Sequence, residues 1–226
     1  MKAGPCSKTF ERRKVLEIPE ITLTPGKICA VVGANGSGKS TLARLLAGVL
    51  RADRNDRVLS EPVKVAYMPQ KSYAFRLSTR TNILLTGGEP DRAEKLMRIL
   101  QIDHLAHQQA TNLSGGETAK MALARVLMQP CELLILDEPT ASMDMESAML
   151  AEQLIADYCR ETSCVVLMIT HDLQQGRRMA DEALFFLRGQ LWESGPAQTV
   201  LFTPERIETR RFLEFYGGPM GNAEAM

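Results

Sequence analysis

The sequence predicts an α/β fold with a mostly parallel sheet, a small antiparallel β part and an inserted helical subdomain. The first observation is a set of short, almost continuous apolar runs rich in β-branched residues, at residues 27–32, 63–68, 133–136, 164–169 and 183–187. Such runs indicate strands that are buried on both faces, as in a parallel sheet. The second observation is that helical patterns follow two of these runs, at 40–50 and 145–161. This alternation of strand and helix is typical of a layered α/β core.

Two parts of the chain depart from this alternation. Residues 185–195 have the pattern of a hairpin that turns near Arg188 and Gly189. Residues 71–130 show no strand signal, and the segment 90–100 places Ala93, Leu96, Met97 and Leu100 on one helical face. We therefore predict one domain over 1–226, with a core formed by 8–70 and 131–216 and a helical subdomain at about 71–130.

The composition excludes several classes of protein. The chain has 226 residues, of which 45% are hydrophobic, and its 27 basic residues balance its 27 acidic residues. This neutral balance argues against a non-specific nucleic-acid binder, which would be basic. No apolar run is long enough to span a bilayer, and the first residues lack the apolar stretch of a signal peptide. The five cysteines are odd in number and show no CxxC spacing, so we expect buried reduced thiols in a cytoplasmic protein.

The segment "GANGSGKST" at residues 33–41 predicts a phosphate-binding loop. It matches the pattern G-x-x-x-x-G-K-[ST] and lies between a predicted strand and a predicted helix. The alternative, a glycine-rich turn that contains lysine by chance, would not need a strand before it and a helix after it. Backbone N–H groups of such a loop surround phosphate oxygens, its lysine reaches the β- and γ-phosphates, and its serine hydroxyl can bind Mg²⁺. Lys39 and Ser40 hold these two positions. The predicted nucleotide-binding residues are Asn35, Gly36, Ser37, Gly38, Lys39, Ser40 and Thr41.

Polar residues also follow three other apolar runs. In "LLILDEPT", Asp137 is suited to holding Mg²⁺ and Glu138 to polarising an attacking water. Gln70 and His171 hold similar positions in "YMPQ" and "VVLMITHD". Ligands of α/β proteins bind at the carboxyl ends of the strands, and this common placement makes both residues candidates for the same site. Taken alone, a pair of surface acids or a surface histidine remains the simpler interpretation.

The segment "LSGGE" raises a separate question, because two glycines stand where a helix begins. Ser114 can cap that helix, and Glu117 has the spacing of a capping box. Glycine costs about 0.5–1 kcal/mol relative to alanine inside a helix. Gly115 and Gly116 therefore indicate a close approach of some group to the backbone, and a helix N-terminus attracts anions.

Taken in order, "GANGSGKST", "YMPQ", "LSGGE", "LLILDEPT", "ASMD" and "ITHD" resemble the ATPase subunit of ATP-binding cassette (ABC) transporters over roughly residues 8–216. The resemblance implies a P-loop NTPase (RecA-like) fold that binds ATP and Mg²⁺. It implies that Glu138 is the catalytic glutamate, that His171 contacts the γ-phosphate, and that Gln70 senses Mg²⁺ and links to the membrane partner. It also implies that Asp144 lies in a loop crossing between subunits. Phe10 falls where the family stacks an aromatic ring on adenine, although an ordinary core phenylalanine is the alternative.

The resemblance offers an explanation for the two glycines. Cassettes of this family dimerise head to tail, and the segment Ser114, Gly115, Gly116 and Glu117 of one copy would close over the ATP of the other. The implied partners are a second copy of the chain and separate transmembrane permease subunits, which would place the protein at the inner face of the cell membrane. Tyr73, Phe75 and Leu77 lie in the stretch after Gln70 that borders the permease groove in the family, or else they only pack the subdomain.

Two departures from the family pattern concern length and one residue. The stretch 51–62 stands where a longer β-rich piece usually lies, and Met143 replaces a commoner leucine. The tail 200–218 resembles that of importers of polar amino acids or oxyanions such as tungstate, molybdate and phosphate, which work with a solute-binding protein. An exporter ATPase, a soluble ATPase of iron–sulfur assembly and a regulatory nucleotide-binding module without turnover remain the alternatives.

Overall fold

The computed structural model describes residues 1–54 and 58–217, and within them the chain forms two compact units. The first unit combines residues 1–62 with the chain from Leu167 onward, and the second unit comprises 63–166. Part of the stretch 51–62 and the last residues of the predicted domain, 218–226, lie outside the described residues. The single-domain boundaries stay a prediction.

The first unit contains most of the strands. They are β1 (Lys2–Ala3), β2 (Cys6–Phe10), β3 (Arg13–Ile18), β4 (Ile21–Thr22), β5 (Ile28–Gly33), β9 (Glu182–Leu187) and β10 (Gln190–Pro196). Its helices are α1 (Lys39–Leu46), α6 (Leu173–Met179), α7 (Ala197–Phe202) and α8 (Ile207–Gly217). The other described helices and strands belong to the second unit, except β8, which is divided between the two units.

The strands of the first unit are paired in both directions. Their order is β2-β3-β10-β9-β5, with β1 and β4 forming a separate antiparallel pair. β5 pairs with β9 in parallel, whereas β9–β10 and β2–β3 are antiparallel. The predicted hairpin at Arg188 and Gly189 is thus confirmed. All six residues of β5 are buried, as expected for a strand covered on both faces.

The core of the first unit forms around the ring of Phe185 on β9. Phe185 is fully buried, and Phe212 of α8 packs on it with ring centroids 5.1 Å apart. Leu213 of α8 and Leu201 of α7 are buried in the same cluster as Val32 of β5. The helices after β10 therefore cover the strand that leads into the phosphate loop.

The second unit contains the predicted helical segment. Its elements are β6 (Val65–Met68), α2 (Thr79–Leu84), α3 (Pro90–Ile99), two short 3₁₀ helices (Asp103–Leu105 and Ala110–Asn112), α4 (Gly115–Val126), β7 (Leu133–Asp137) and α5 (Met145–Thr162). β6 and β7 pair in parallel. β8 (Val165–Ile169) begins in this unit and ends in the first.

One predicted helix is shorter than expected. The pattern at 40–50 predicts a helix to residue 50, but α1 ends at Leu46. The backbone N–H groups of Val49 and Leu50 both donate to the carbonyl of Arg44, which turns the chain out of the helix. All five cysteines are buried free thiols, as predicted. Within residues 1–54 and 58–217, no helix is both long enough and apolar enough to cross a membrane.

Candidate nucleotide-binding site

The predicted site residues are divided between the two units. The first unit carries Phe10, the phosphate loop 33–41 and His171. The second unit carries the other predicted residues, Gln70, Ser114, Gly115, Gly116, Glu117, Asp137, Glu138 and Asp144. Each half has its own geometry.

The phosphate loop joins β5 to α1, as the motif predicts. Gly38 caps α1 in the left-handed conformation, at φ 101°, and no side chain caps this helix N-terminus. A Cβ atom at Gly38 would lie 2.9 Å from Cδ1 of Leu16 and 3.1 Å from the carbonyl oxygen of Val15. Both the backbone dihedral and the packing therefore require glycine here. A helix start without a side-chain cap is suited to an anion.

The charged and hydroxyl groups of the loop also fit a phosphate ligand. Lys39 is buried, and its ammonium donates to the carbonyl oxygens of Gly33 and Ala34 at 2.7 and 3.0 Å. The loop thus supplies its own acceptors for this buried cation. The hydroxyl of Ser37 is buried and has no hydrogen-bond partner among the described residues. A cation and an orphaned hydroxyl beside a helix N-terminus form a cradle that fits phosphate oxygens.

The two other predicted residues of the first unit are exposed. Phe10 ends β2 and is 44% exposed, with the ammonium of Lys8 lying 5.3 Å from its ring centroid. It is therefore not an ordinary core phenylalanine. His171 is exposed in the turn after β8, and the next residue, Asp172, caps α6 by accepting from the N–H groups of Gln174 and Gln175. Their roles toward a nucleotide stay predictions.

In the second unit the structure brings two of the predicted residues together. Asp137 is buried at the end of β7, and Glu138 follows it with φ 53°, in the left-handed region that bulky residues seldom adopt. The Nε2 group of Gln70 donates to Oε2 of Glu138 at 3.0 Å. Carboxylate, hydroxyl and amide oxygens are the ligands that Mg²⁺ prefers, so Asp137 and Gln70 in this unit, and Ser40 in the first unit, each have the chemistry of a Mg²⁺ ligand.

The capping box predicted at 114–117 is present. The backbone N–H of Ser114 donates to Oε2 of Glu117 at 2.7 Å, and the N–H of Glu117 donates to the hydroxyl of Ser114 at 3.3 Å. The hydrogen bond from the Ser114 backbone lowers the pKa of the Glu117 carboxyl below its ordinary value. The box fixes the start of α4 and leaves Gly115 exposed.

Packing within the chain explains why one of the two positions must be glycine. A Cβ at Gly116 would lie 2.9 Å from the carbonyl oxygen of Ser142, whereas a Cβ at Gly115 would meet only Cβ of Ser142, at 3.9 Å. The hydroxyl of Ser142 donates to the carbonyl of Gly115 at 3.3 Å. Sequence reasoning missed Ser142, whose only signal was its place in "ASMD". The loop before α5 thus packs on the first turn of α4.

Asp144, in the same loop, caps the next helix. Its carboxylate accepts from the backbone N–H and the hydroxyl of Ser147, at 2.8 and 2.9 Å. The Ser147 N–H, as the main cause, lowers the pKa of the Asp144 carboxyl. Asp144 therefore has a structural role at the start of α5, and its predicted role between subunits stays a prediction.

The two glycines are expected to respond differently to alanine. Gly116→Ala should lower the free energy of unfolding by about 1–3 kcal/mol, because the new methyl group overlaps a backbone oxygen that cannot turn away. Gly115→Ala should be neutral or should raise it by up to about 1 kcal/mol, because alanine favours helix and this site has room. Urea unfolding of the two variants measures the difference, and Gly115→Ala is the matched control. Equal stabilities would contradict the packing argument.

The fold and the site define a class of protein. A buried strand, a glycine-rich loop with an enclosed lysine and a following helix are the features of a P-loop NTPase. In the second unit, the buried strand β7 ends at Asp137, and Glu138 follows it. The chain belongs to the ABC transporter family, since the model of that family, described as ABC transporter, matches residues 16–141. It is an ATP-binding cassette of this family.

Solved structures agree on the fold. An ATP-binding subunit of an ABC transporter has a TM-score of 0.78 at 20% identity, over 87% of this chain and 90% of that chain. A dimeric bacterial ABC transporter cassette has a TM-score of 0.76 at 19% identity, over 87% of this chain and 98% of that one. A bacterial Atm1-family ABC exporter with ATP bound has a TM-score of 0.83 at 20% identity, over 95% of this chain and 41% of that chain. The predicted P-loop NTPase fold, mostly parallel with a small antiparallel part, is confirmed.

Proposed function

We propose that this chain hydrolyses ATP to drive an ABC transporter, and that the transporter is a prokaryotic importer of a small polar solute or oxyanion. The observation that supports hydrolysis is the hydrogen bond from Gln70 to Glu138. Glu138 directly follows the buried Asp137. The hydrogen bond from Gln70 orients the carboxylate that would take a proton from water. Family membership supports the use of ATP.

In this proposal the phosphate loop binds and orients the nucleotide. Lys39 exchanges the carbonyl oxygens of Gly33 and Ala34 for phosphate oxygens, and the first N–H groups of α1 donate to the same ligand. Ser40, Asp137 and Gln70 would hold Mg²⁺, which would supply positive charge to the phosphates. Phe10 stacks on the adenine, and His171 contacts the γ-phosphate.

Glu138 acts as the general base in this proposal. It takes a proton from the attacking water, and Gln70 fixes the orientation of its carboxylate through the 3.0 Å hydrogen bond. The positive φ of Glu138 turns the chain sharply at the end of β7.

The proposed partners are a second copy of the chain and transmembrane permease subunits, with a solute-binding protein on the other side of the membrane. The dimeric form of a bacterial cassette with the same fold supports the first partner. Residues 114–117 of the second copy (Ser114, Gly115, Gly116 and Glu117) close over the γ-phosphate of ATP held by the first copy. The protein then lies at the inner face of the cell membrane through the permease.

An exposed apolar surface supports the permease contact. Tyr73, Phe75 and Leu77 are 66%, 45% and 40% exposed, and the rings of Tyr73 and Phe75 meet edge to face with centroids 4.9 Å apart. Side chains that only packed the subdomain would be covered. A cluster of exposed aromatic residues is typical of a protein-binding surface.

Phe75→Glu is expected to weaken the complex with the permease, because a carboxylate at an apolar contact must lose its hydration when the partner binds. Nucleotide binding by the variant should remain. Co-purification with the permease and fluorescent-nucleotide titration measure the two properties. Val49→Glu is the matched control, since Val49 is an exposed apolar residue of the other unit. Full retention of the complex by Phe75→Glu would count against this surface.

The direction of transport rests on the tail 200–218, whose sequence resembles the ends of importer cassettes. An exporter is the second candidate, because an exporter has a TM-score of 0.83 to this chain. Reconstitution with a permease that co-purifies with this chain, in vesicles loaded with labelled molybdate on one side, distinguishes the two. Uptake toward the ATP side supports the importer, and movement away from it supports the exporter.

A further inference from the structure

Arg125 makes a set of contacts that the nucleotide site does not use. It lies in the last turn of α4, and its Nε group donates to the carbonyl oxygen of Asn82 at 2.8 Å. Nη2 donates to Oδ1 of Asn82 at 2.9 Å, and Nη1 donates to the carbonyl oxygen of Tyr73 at 3.0 Å. The guanidinium also lies 5.5 Å from the ring centroid of Phe75. One side chain thus contacts both aromatic residues of the exposed surface.

Asn82 completes this arrangement from α2. It is fully buried, and its Nδ2 group lies within hydrogen-bond distance of the carbonyl oxygens of Phe75, Leu77 and Ser78, at 3.1–3.2 Å. Its Oδ1 accepts from the N–H of Phe75 at 2.9 Å. A single buried amide therefore holds the backbone of residues 75–78, which leaves their apolar side chains exposed.

The same helix is fixed at its other end. At the N-terminus of α4, Ser142 packs on Gly116 and donates to the carbonyl of Gly115. The helix has 12 residues and is therefore about 18 Å long. Its first turn carries the segment proposed to contact a nucleotide, and its last turn carries Arg125.

We propose that Arg125 and Asn82 form a latch that holds the docking loop, residues 73–78, in the shape that the permease binds, and that Arg125 ties this loop to α4. This inference rests on the proposed function of the loop as the permease contact. Arginine is required because its planar fork reaches the carbonyls of Tyr73 and Asn82 and the amide of Asn82 together. A preformed loop spends less conformational entropy on binding. Arg125 is thus a positioning residue for the partner surface.

The first arm of the test uses the full chain without the permease. In Arg125→Lys the charge remains but the fork is lost, and amide hydrogen exchange over residues 73–78 should be about tenfold faster. The matched control is Arg92→Lys, because Arg92 also donates through Nε and Nη2, to the carbonyl of Leu127, and lies 6.0 Å from the ring of Tyr158. Exchange in the docking loop should be unchanged in the control. Unchanged exchange in Arg125→Lys would overturn the latch.

The second arm uses the chain with its permease. The permease concentration that gives half-maximal stimulation of ATPase activity should rise about tenfold in Arg125→Lys and stay unchanged in Arg92→Lys. Arg125→Gln, which keeps an amide donor, serves as the test if lysine prevents folding. If Arg125 had a purely structural role, Arg125→Lys and Arg92→Lys would both have lower unfolding temperatures, and the permease concentration for half-maximal stimulation would stay unchanged. That result would overturn the inference.

A double-mutant cycle separates the latch from the docking proposal. If Arg125 acts through the loop, Arg125→Lys combined with Phe75→Leu should lose no more permease affinity than the worse single variant, and additive losses would overturn the latch. Faster exchange in Arg125→Lys together with full permease binding by Phe75→Glu would leave the latch in place and overturn the docking proposal.

Discussion

Glu138→Gln is expected to lower the rate of ATP hydrolysis about 10²- to 10⁴-fold while ATP binding remains. Glutamine has the shape of glutamate, and its amide oxygen can still accept the hydrogen bond that Gln70 donates to Glu138 at 3.0 Å. What it lacks is the basic oxygen that takes a proton from water. The effect should therefore fall on turnover and not on the dissociation constant for ATP.

The measurement is steady-state ATPase activity with the membrane partner present, beside a nucleotide-binding titration. Glu161→Gln is the matched control, because Glu161 is an exposed glutamate near the end of α5 and has no proposed part in the site. An unchanged rate for Glu138→Gln would remove Glu138 from the role of base and leave the phosphate loop untouched.

Mixing two inactive variants, Gly115→Asp and Lys39→Ala, is expected to restore one working site. Gly115→Asp places a negative charge where the γ-phosphate of a partner's ATP would lie. The substitution should fold, because a Cβ at Gly115 has room and an acidic residue is favoured in the first turn of a helix. Lys39→Ala removes the ammonium that would reach the phosphates of its own ATP. Each variant alone should lose ATP-dependent dimerisation and hydrolysis.

In the mixed dimer, Lys39 of the first variant faces the intact 114–117 segment of the second. One composite site is then whole, and the other carries both lesions. Single-turnover hydrolysis or ATP-dependent dimerisation should therefore recover in part. Steady-state turnover is a poorer measure, because cooperativity between the two sites can hide one good site. No recovery after verified subunit exchange would count strongly against a site shared between two copies.

The buried strands were predictable because their environment is uniform. β5, β7 and β8 are buried along their whole length, so their sequences are continuous apolar runs. β2 and β3 were not predicted as individual strands. Both are partly exposed, and β3 carries three charged residues, Arg13, Lys14 and Glu17, which weakens the periodic signal of a strand. The two strands pair with each other across Glu11 and Arg12, which adopt positive φ without the glycine or asparagine that usually marks such a turn.

The site shows a similar division between local and distant information. The order of the motifs placed the phosphate loop after a strand and the capping box at the start of α4, because both depend on neighbouring residues. The contact of Gly116 with Ser142 and the contacts of Arg125 with Asn82 join residues far apart in the chain. Arg125 looks from the sequence like any basic residue at a helix C-terminus, and only its position in the fold identifies its partners.

The packing of Ser142 on Gly116 changes what a survey of tolerated substitutions at the 114–117 segment can report. A selection for transport will reject nearly every substitution at 116. A measurement of folded-protein abundance will reject the same substitutions, because the packing on Ser142 requires glycine whether or not a nucleotide binds. Position 115 has no such internal restriction. A substitution there that preserves abundance and abolishes transport is therefore evidence of a ligand or a second subunit, whereas intolerance at 116 does not distinguish a nucleotide contact from packing inside the monomer.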